Sequence, residues 1–275
     1  RVQSVACYLS GKGLSRELPV AGLLGNGQTS LELFLGGMYG GFQVLLANPL
    51  SGRDILAYVV EHSETKILFV ASQYQELAEQ ALSKLSKQPE IITCHTDNLP
   101  VWNDTSPVKN LSKYISKPKE KALLIYTSGT TGRPKGVIHT HESLLYGGWN
   151  TEVAHKLTPD DNSLCVLPLC HINAQVVSVM GTLVNGSGLV MPQRFQASKF
   201  WSLVVKEKCT WFSAVPTILS YLMNIEDEEK IKSKLGRVRF GRSASAALPP
   251  ALHKAFEERF GIKIVETMGI TETAS

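Results

Sequence analysis

The chain has 275 residues, 43% apolar and 19% charged, with 22 glycines and 13 prolines. These proportions exclude disordered, collagen-like and coiled-coil classes and leave a globular chain able to bury a sizeable core. The net charge of +4 comes from scattered Lys and Arg without a basic block, so nucleic acid is not an implied partner, while a small anionic ligand needs only a local patch.

In chain order, an apolar run at 20–25 ends in the turn signal Asn26-Gly27, and residues 29–39 (TSLELFLGGMY) carry a helical pattern. Residues 43–47 read as a strand. Ser51, with Asp54 three residues on, predicts a capped helix through His62. A strand at 66–70, a helix at 73–85 and a strand at 90–93 follow. Residues 96–120 lose periodicity among prolines, asparagines and serines and read as a long loop or a lobe crossing. Then come a buried strand at 122–126 (ALLIY), a polar Gly-rich stretch and a helix at 142–156. The turn-rich break at 158–162 is the expected lobe boundary. Beyond it, strands at 164–167, 188–191, 210–213, 237–240 and 263–266 alternate with helices at 174–185, 198–206, 216–223 and 250–260. Pro216 opens one of these helices and Gly261 closes another. The alternation predicts an α/β fold of βαβ units with mostly parallel sheets, in two stacked lobes at 1–157 and 158–275.

Five cysteines (Cys7, Cys94, Cys165, Cys170, Cys209) are an odd number without CxxC spacing. They argue against a disulfide framework or zinc ribbon and for free thiols in a reducing, cytoplasmic compartment. No run reaches the roughly 18 apolar residues of a membrane span, and no signal peptide is recognisable. The chain opens on Arg1 and stops at Ser275 just past a strand, which reads as a fragment.

The chemistry concentrates in four strings. The first is YTSGTTGRPKG at 126–136, directly after a hydrophobic strand. Its glycines let backbone N–H groups approach an anion, its hydroxyls donate further hydrogen bonds, and Lys135 adds a mobile charge. The combination describes a phosphate cradle, although a generic stretch of this composition would read as a flexible polar loop. It is not a Walker A loop, since Gly129 and Gly132 are three apart and Gly136 follows Lys135. The others are LPLCHI at 167–172, ETMGITE at 266–272 and GRSASAALPP at 241–250. Taken alone, His171 could be a satisfied core histidine, and the small residues at 244–246 could serve helix–strand packing. His139 and His141 have no evident third metal ligand.

Together these strings resemble the adenylate-forming superfamily of acyl-CoA synthetases, 4-coumarate–CoA ligases, luciferases and peptide-synthetase adenylation domains. The family signature, close to YTSGTTGxPKG, is matched at every fixed position. The resemblance implies the N-terminal domain of that family without its mobile C-terminal domain. It implies that Thr127, Ser128, Gly129, Thr130, Thr131, Gly132 and Lys135 contact the ATP phosphates, and that His171 lines the acyl pocket, with Cys170 where an aromatic is usual. It also implies that Ala244, Ser245 and Ala246 form the adenine wall, and that Met268, in place of the usual Tyr, and Gly269 lie at the adenine. Thr271 would contact the α-phosphate and Glu272 would hold Mg²⁺. Lys135, His171, Thr271 and Glu272 are then the expected catalytic residues.

The implied reaction is ATP-dependent activation of a small-molecule carboxylic acid as acyl-adenylate, followed by transfer to coenzyme A. A carrier-protein thiol is the alternative acceptor, and a non-catalytic nucleotide-binding module is the reading from another class. Asn173 and Gln175 point to a polar or small acyl group. The missing second domain implies that the fragment alone is inactive.

Overall fold

The computed structural model describes residues 1–94, 102, 115–127, 132–225 and 231–274. The chain divides into two compact units, Arg1–Ser143 and Leu144–Ser275.

In the first unit α1 (Val2–Gly11) precedes β1 (Val20–Leu23), α2 (Gln28–Tyr39), β2 (Val44–Leu46), α3 (Arg53–His62) and β3 (Ile67–Ala71). A 3₁₀ turn at Ser72–Tyr74 runs into α4 (Gln75–Leu82), followed by β4 (Glu90–Cys94), β5 (Lys121–Thr127) and β6 (Lys135–Thr140). The six-stranded sheet has the order β4-β3-β1-β2-β5-β6. It is parallel up to β5, and β6 pairs antiparallel with β5. Strands β1, β2 and β3 are buried along their whole length, as a parallel sheet covered on both faces requires. Leu56, Val59 and Val60 of α3 and Ala78, Ala81 and Leu82 of α4 pack with Ala21, Leu45 and Leu68 in one core. Helix α2 approaches β2 closely at Gly37, where a Cβ would come within 2.5 Å of Val44.

The second unit takes in the rest of α5 (His141–His155), which straddles the division, and β7 (Asn162–Cys165). A π-helical segment at Asn173–Met180 continues into α6 (Gly181–Asn185). Then follow β8 (Gly188–Val190), α7 (Ala197–Lys206), β9 (Trp211–Ala214), α8 (Pro216–Leu222), β10 (Phe240–Ser243), α9 (Pro250–Phe260) and β11 (Ile264–Glu266). All five strands are parallel, in the order β11-β10-β9-β7-β8. Phe212 of β9 packs on Phe200 of α7 at 5.2 Å between ring centroids, and Trp201 packs on Phe260 of α9 at 4.7 Å. Trp211 and Phe240 occupy the alternate positions of their strands and so face the other side. They form a buried cluster with Leu157 and Val177, and the His155 ring stacks 5.0 Å from Phe240.

Four local expectations are corrected. Ser51 does not cap α3: its hydroxyl donates to the Asn48 carbonyl at 2.8 Å, and Gly52, at φ +80°, takes the cap position. Strand β6 has no counterpart among the expected elements, because its residues, half of them exposed, show no apolar alternation. The strand expected at 237–240 is β10, Phe240–Ser243. Gly, Arg and Ser have low strand propensity, but β9 and β11 hydrogen-bond it on both sides and burial overrides propensity. The helix expected at 174–185 begins as a π-helix. There Gly148 of α5 lies so close that a Cβ would meet the Met180 carbonyl oxygen at 2.7 Å.

Candidate active site

In the second unit the connections leave β7 towards β8 and β9 towards β10, in opposite directions across the sheet. The carboxyl ends of β7 and β9 therefore flank a topological switch point, where open parallel sheets bind ligands. Three of the sequence strings leave this carboxyl edge. Residues 166–171 follow β7, residues 244–246 follow β10, and residues 267–272 follow β11.

The two latter segments are tied at their roots. Thr267 N donates to the Ser243 carbonyl at 2.9 Å, and Leu248 N donates to Glu266 Oε1 at 2.8 Å. Ala244 is buried, while Ser245 and Ala246 are exposed. Ser245 holds φ +70°, a left-handed conformation that costs a non-glycine residue about 1 kcal/mol or more and recurs at functional sites. Met268 is 96% exposed. Gly269 and Thr271 are half-buried and Glu272 is exposed, within a 3₁₀ turn at Thr271–Thr273.

His171 sits in the turn between β7 and the π-helix. Its backbone N–H donates to Pro168, and its carbonyl accepts from the N–H groups of Ala174 and Gln175. The side chain is exposed, yet desolvation by its surroundings holds its pKa below the ordinary histidine value. The ring is therefore neutral at pH 7 and able to donate or accept a hydrogen bond without carrying charge. Cys170 beside it is buried, and burial pushes its thiol up to about 12.

Beneath this turn lies a group that sequence reasoning missed. Arg242 of β10 is only 4% exposed. Its Nη1 donates to Asn173 Oδ1 at 3.1 Å and to Ser213 Oγ at 3.4 Å, and Ser213 Oγ donates to Asn173 Oδ1 at 2.9 Å. The string GRSASAALPP contains it, but Arg242 lies two residues beyond the strand expected at 237–240, and the structure places it within β10.

In the first unit the two described ends of the cradle string lie on β5 and β6. Thr127 and Lys135 are cross-strand partners, as are Tyr126 and Gly136. Thr127 is half-buried, and Lys135 and Gly132 are exposed. Ser128, Gly129, Thr130 and Thr131 lie outside the described residues. The flank is anchored by groups that the string alone did not reveal. The Tyr126 hydroxyl hydrogen-bonds His62 Nδ1 at 2.7 Å, and the Arg133 guanidinium lies 6.0 Å from the Tyr58 ring centroid.

The AMP-binding enzyme family matches residues 1–275, the whole of the chain. The chain belongs to the AMP-binding enzyme family. It is 42% identical over 269 residues to a sulfoacetate–CoA ligase of Cupriavidus necator, covering 96% of this chain and 51% of that protein. It is 31% identical over 221 residues to an oxalate–CoA ligase of Arabidopsis thaliana, covering 78% and 43%. The fold matches the crystal structure of the anthranilate–CoA ligase AuaEII in complex with anthranoyl-AMP. The TM-score is 0.87 at 22% identity, over 99% of this chain and 53% of that one. The chain thus spans about half the length of the relatives it matches.

Gly132 holds φ +86°, and among the described residues a Cβ there would meet nothing within 4 Å. The metal question is narrower. Among the described residues no three His, Cys, Asp or Glu side chains stand together as a metal cage. A single exposed carboxylate at Glu272 fits magnesium, which takes one or two carboxylates and completes its shell with water and phosphate oxygens.

Proposed function

We propose that the protein carrying this chain is an ATP-dependent carboxylate–CoA ligase, which activates a small carboxylic acid as acyl-adenylate before thioester formation. The observation that carries this reading is the complete YTSGTTGRPKG string in the sequence, its described ends paired between β5 and β6, in a chain whose relatives bear the names of CoA ligases.

The acid arrives as an anion and must approach an anionic triphosphate. Two unit charges about 4 Å apart repel by about 4 kcal/mol at an effective dielectric near 20. In this reading Thr127, Ser128, Gly129, Thr130, Thr131, Gly132 and Lys135 offset that repulsion and stabilise charge on the leaving pyrophosphate. His171 orients the acid, and Thr271 donates at the α-phosphate. The small residues Ala244, Ser245 and Ala246, with Met268 and Gly269, flank the adenine. Glu272 would hold Mg²⁺, which supplies further charge neutralisation at the phosphates when bound. A carboxylate is already a nucleophile, so the first step needs no general base.

Sulfoacetate and oxalate, the acids in the relatives' names, are short and doubly charged. They support a small polar acid over a long acyl chain. Coenzyme A is the proposed acceptor, with a carrier-protein thiol as the competing one. No helix among the described residues is long and apolar enough to cross a membrane. The free thiols support a cytoplasmic setting. ATP–pyrophosphate exchange by the whole protein over a panel of acids tests the reading, and exchange with none of them rejects it. Thioester formation with coenzyme A against holo-carrier protein then separates the two acceptors.

A further inference from the structure

Arg242 is a buried cation. Among the described residues it has no carboxylate partner. Asp161 is taken by Arg239. Glu266 lies on the next row of the sheet, paired in register with Ser243, and accepts from Leu248. Desolvation lowers the Arg242 pKa to about 10, which still leaves it charged at neutral pH. Its field, with that of Arg239, also helps to hold His155 at about 4. An isolated guanidinium in such a place is costly unless something anionic meets it.

The surroundings are built to hold the guanidinium and not to neutralise it. Asn173 and Ser213 take up Nη1, while Nε of Arg242 and Nδ2 of Asn173, both buried, have no partner among the described residues. Buried polar atoms are normally satisfied, so the two open donors of Arg242 and Asn173 mark a missing acceptor. The place is the carboxyl edge of β7, β9 and β10, and Asn173 follows His171 by two residues.

We infer that Arg242, held by Asn173 and Ser213, binds a second anionic group on the acid substrate, a carboxylate or sulfonate joined to the reacting carboxylate by a short linker. This rests on the carboxylate-activation reading above. A planar fork of N–H donors matches either oxyanion and discriminates strongly against an acid that lacks it, because such an acid leaves the buried charge unanswered.

The test is ATP–pyrophosphate exchange by the whole protein with acetate, propanoate and butanoate against oxalate, malonate, succinate and sulfoacetate. The wild-type protein should favour a doubly charged acid over the singly charged acid of matching length by about 100-fold or more in kcat/KM. The malonate and sulfoacetate arms tell carboxylate from sulfonate. Arg242→Met should remove that preference, chiefly through KM, and Arg242→Lys should restore part of it. The wild-type panel decides even if the Met variant fails to fold. Singly charged acids used as well as doubly charged ones, or a preference unchanged in a folded Arg242→Met protein, overturn the inference and leave the activation reading standing. Exchange with no acid at all overturns that reading and the inference with it.

Discussion

Thr127 and Lys135 face each other across the last pair of the β5–β6 ladder. This register brings the two ends of the cradle string together and sets a hydroxyl and an ammonium on neighbouring strands. Lys135→Ala should lower ATP–pyrophosphate exchange by the whole protein about 10²-fold or more, because it removes charge stabilisation at the leaving phosphates. The lysine is exposed, so its loss should leave the melting temperature unchanged. An exchange rate equal to wild type would take Lys135 out of the site.

Gly241 tests the packing that sets β10 in place. A Cβ at this position would lie 2.4 Å from Phe212 Cζ and 2.7 Å from Ile264. The Phe212 ring is held against Phe200 and Trp201, so it has nowhere to yield. Gly241→Ala should destabilise the protein by about 1–3 kcal/mol, measured by urea denaturation. It should also weaken the doubly charged preference, since Arg242 is the next residue. A variant as stable as wild type would contradict the packing.

Acid stability should depend on His155. Desolvation, aided by Arg242 and Arg239, lowers its pKa from 6.5 to about 4. Between those values the unfolded chain binds a proton at this ring and the folded chain does not. Stability should therefore be lost as pH falls from about 6.5 towards 4. His141 and His171, also lowered by burial, act in the same direction, so His155→Phe should flatten the loss and not abolish it. Urea midpoints at pH 7, 6, 5 and 4.5 give the comparison, and parallel curves for the two proteins would refute the assignment.

The thiols offer a probe of the His171 turn. All five cysteines are free, and only Cys7 is less than buried. Burial pushes Cys94, Cys170 and Cys209 up to about 12 and Cys165 to about 11. Alkylation of native protein at neutral pH, read by mass spectrometry, should label Cys7 first and the others only on denaturation. Labelling of Cys170 as fast as Cys7 would mean that the turn beside His171 opens.

The sequence by itself determined the alternation of elements, because each buried parallel strand reads as a short apolar run such as ILFVA at 67–71. It also pointed to the family, because the eleven consecutive positions of the cradle string match the signature of the adenylate-forming enzymes that the chain resembles. The contributions of residues far apart in sequence were decided only in three dimensions. Ser51 has the chemistry of a cap, but Gly52 sits where the backbone turns left-handed. Strand β6 exists because β5 offers it an edge, not because its own residues demand it. Arg242, Asn173 and Ser213 are separated by 69, 40 and 29 positions in their three pairings, and no local pattern links them. Sheet register joins Arg242 to Ser213, and the turn after β7 delivers Asn173 to both. Folding then turns an arginine that lies beyond the expected strand into a buried charge, since only the folded sheet removes its water.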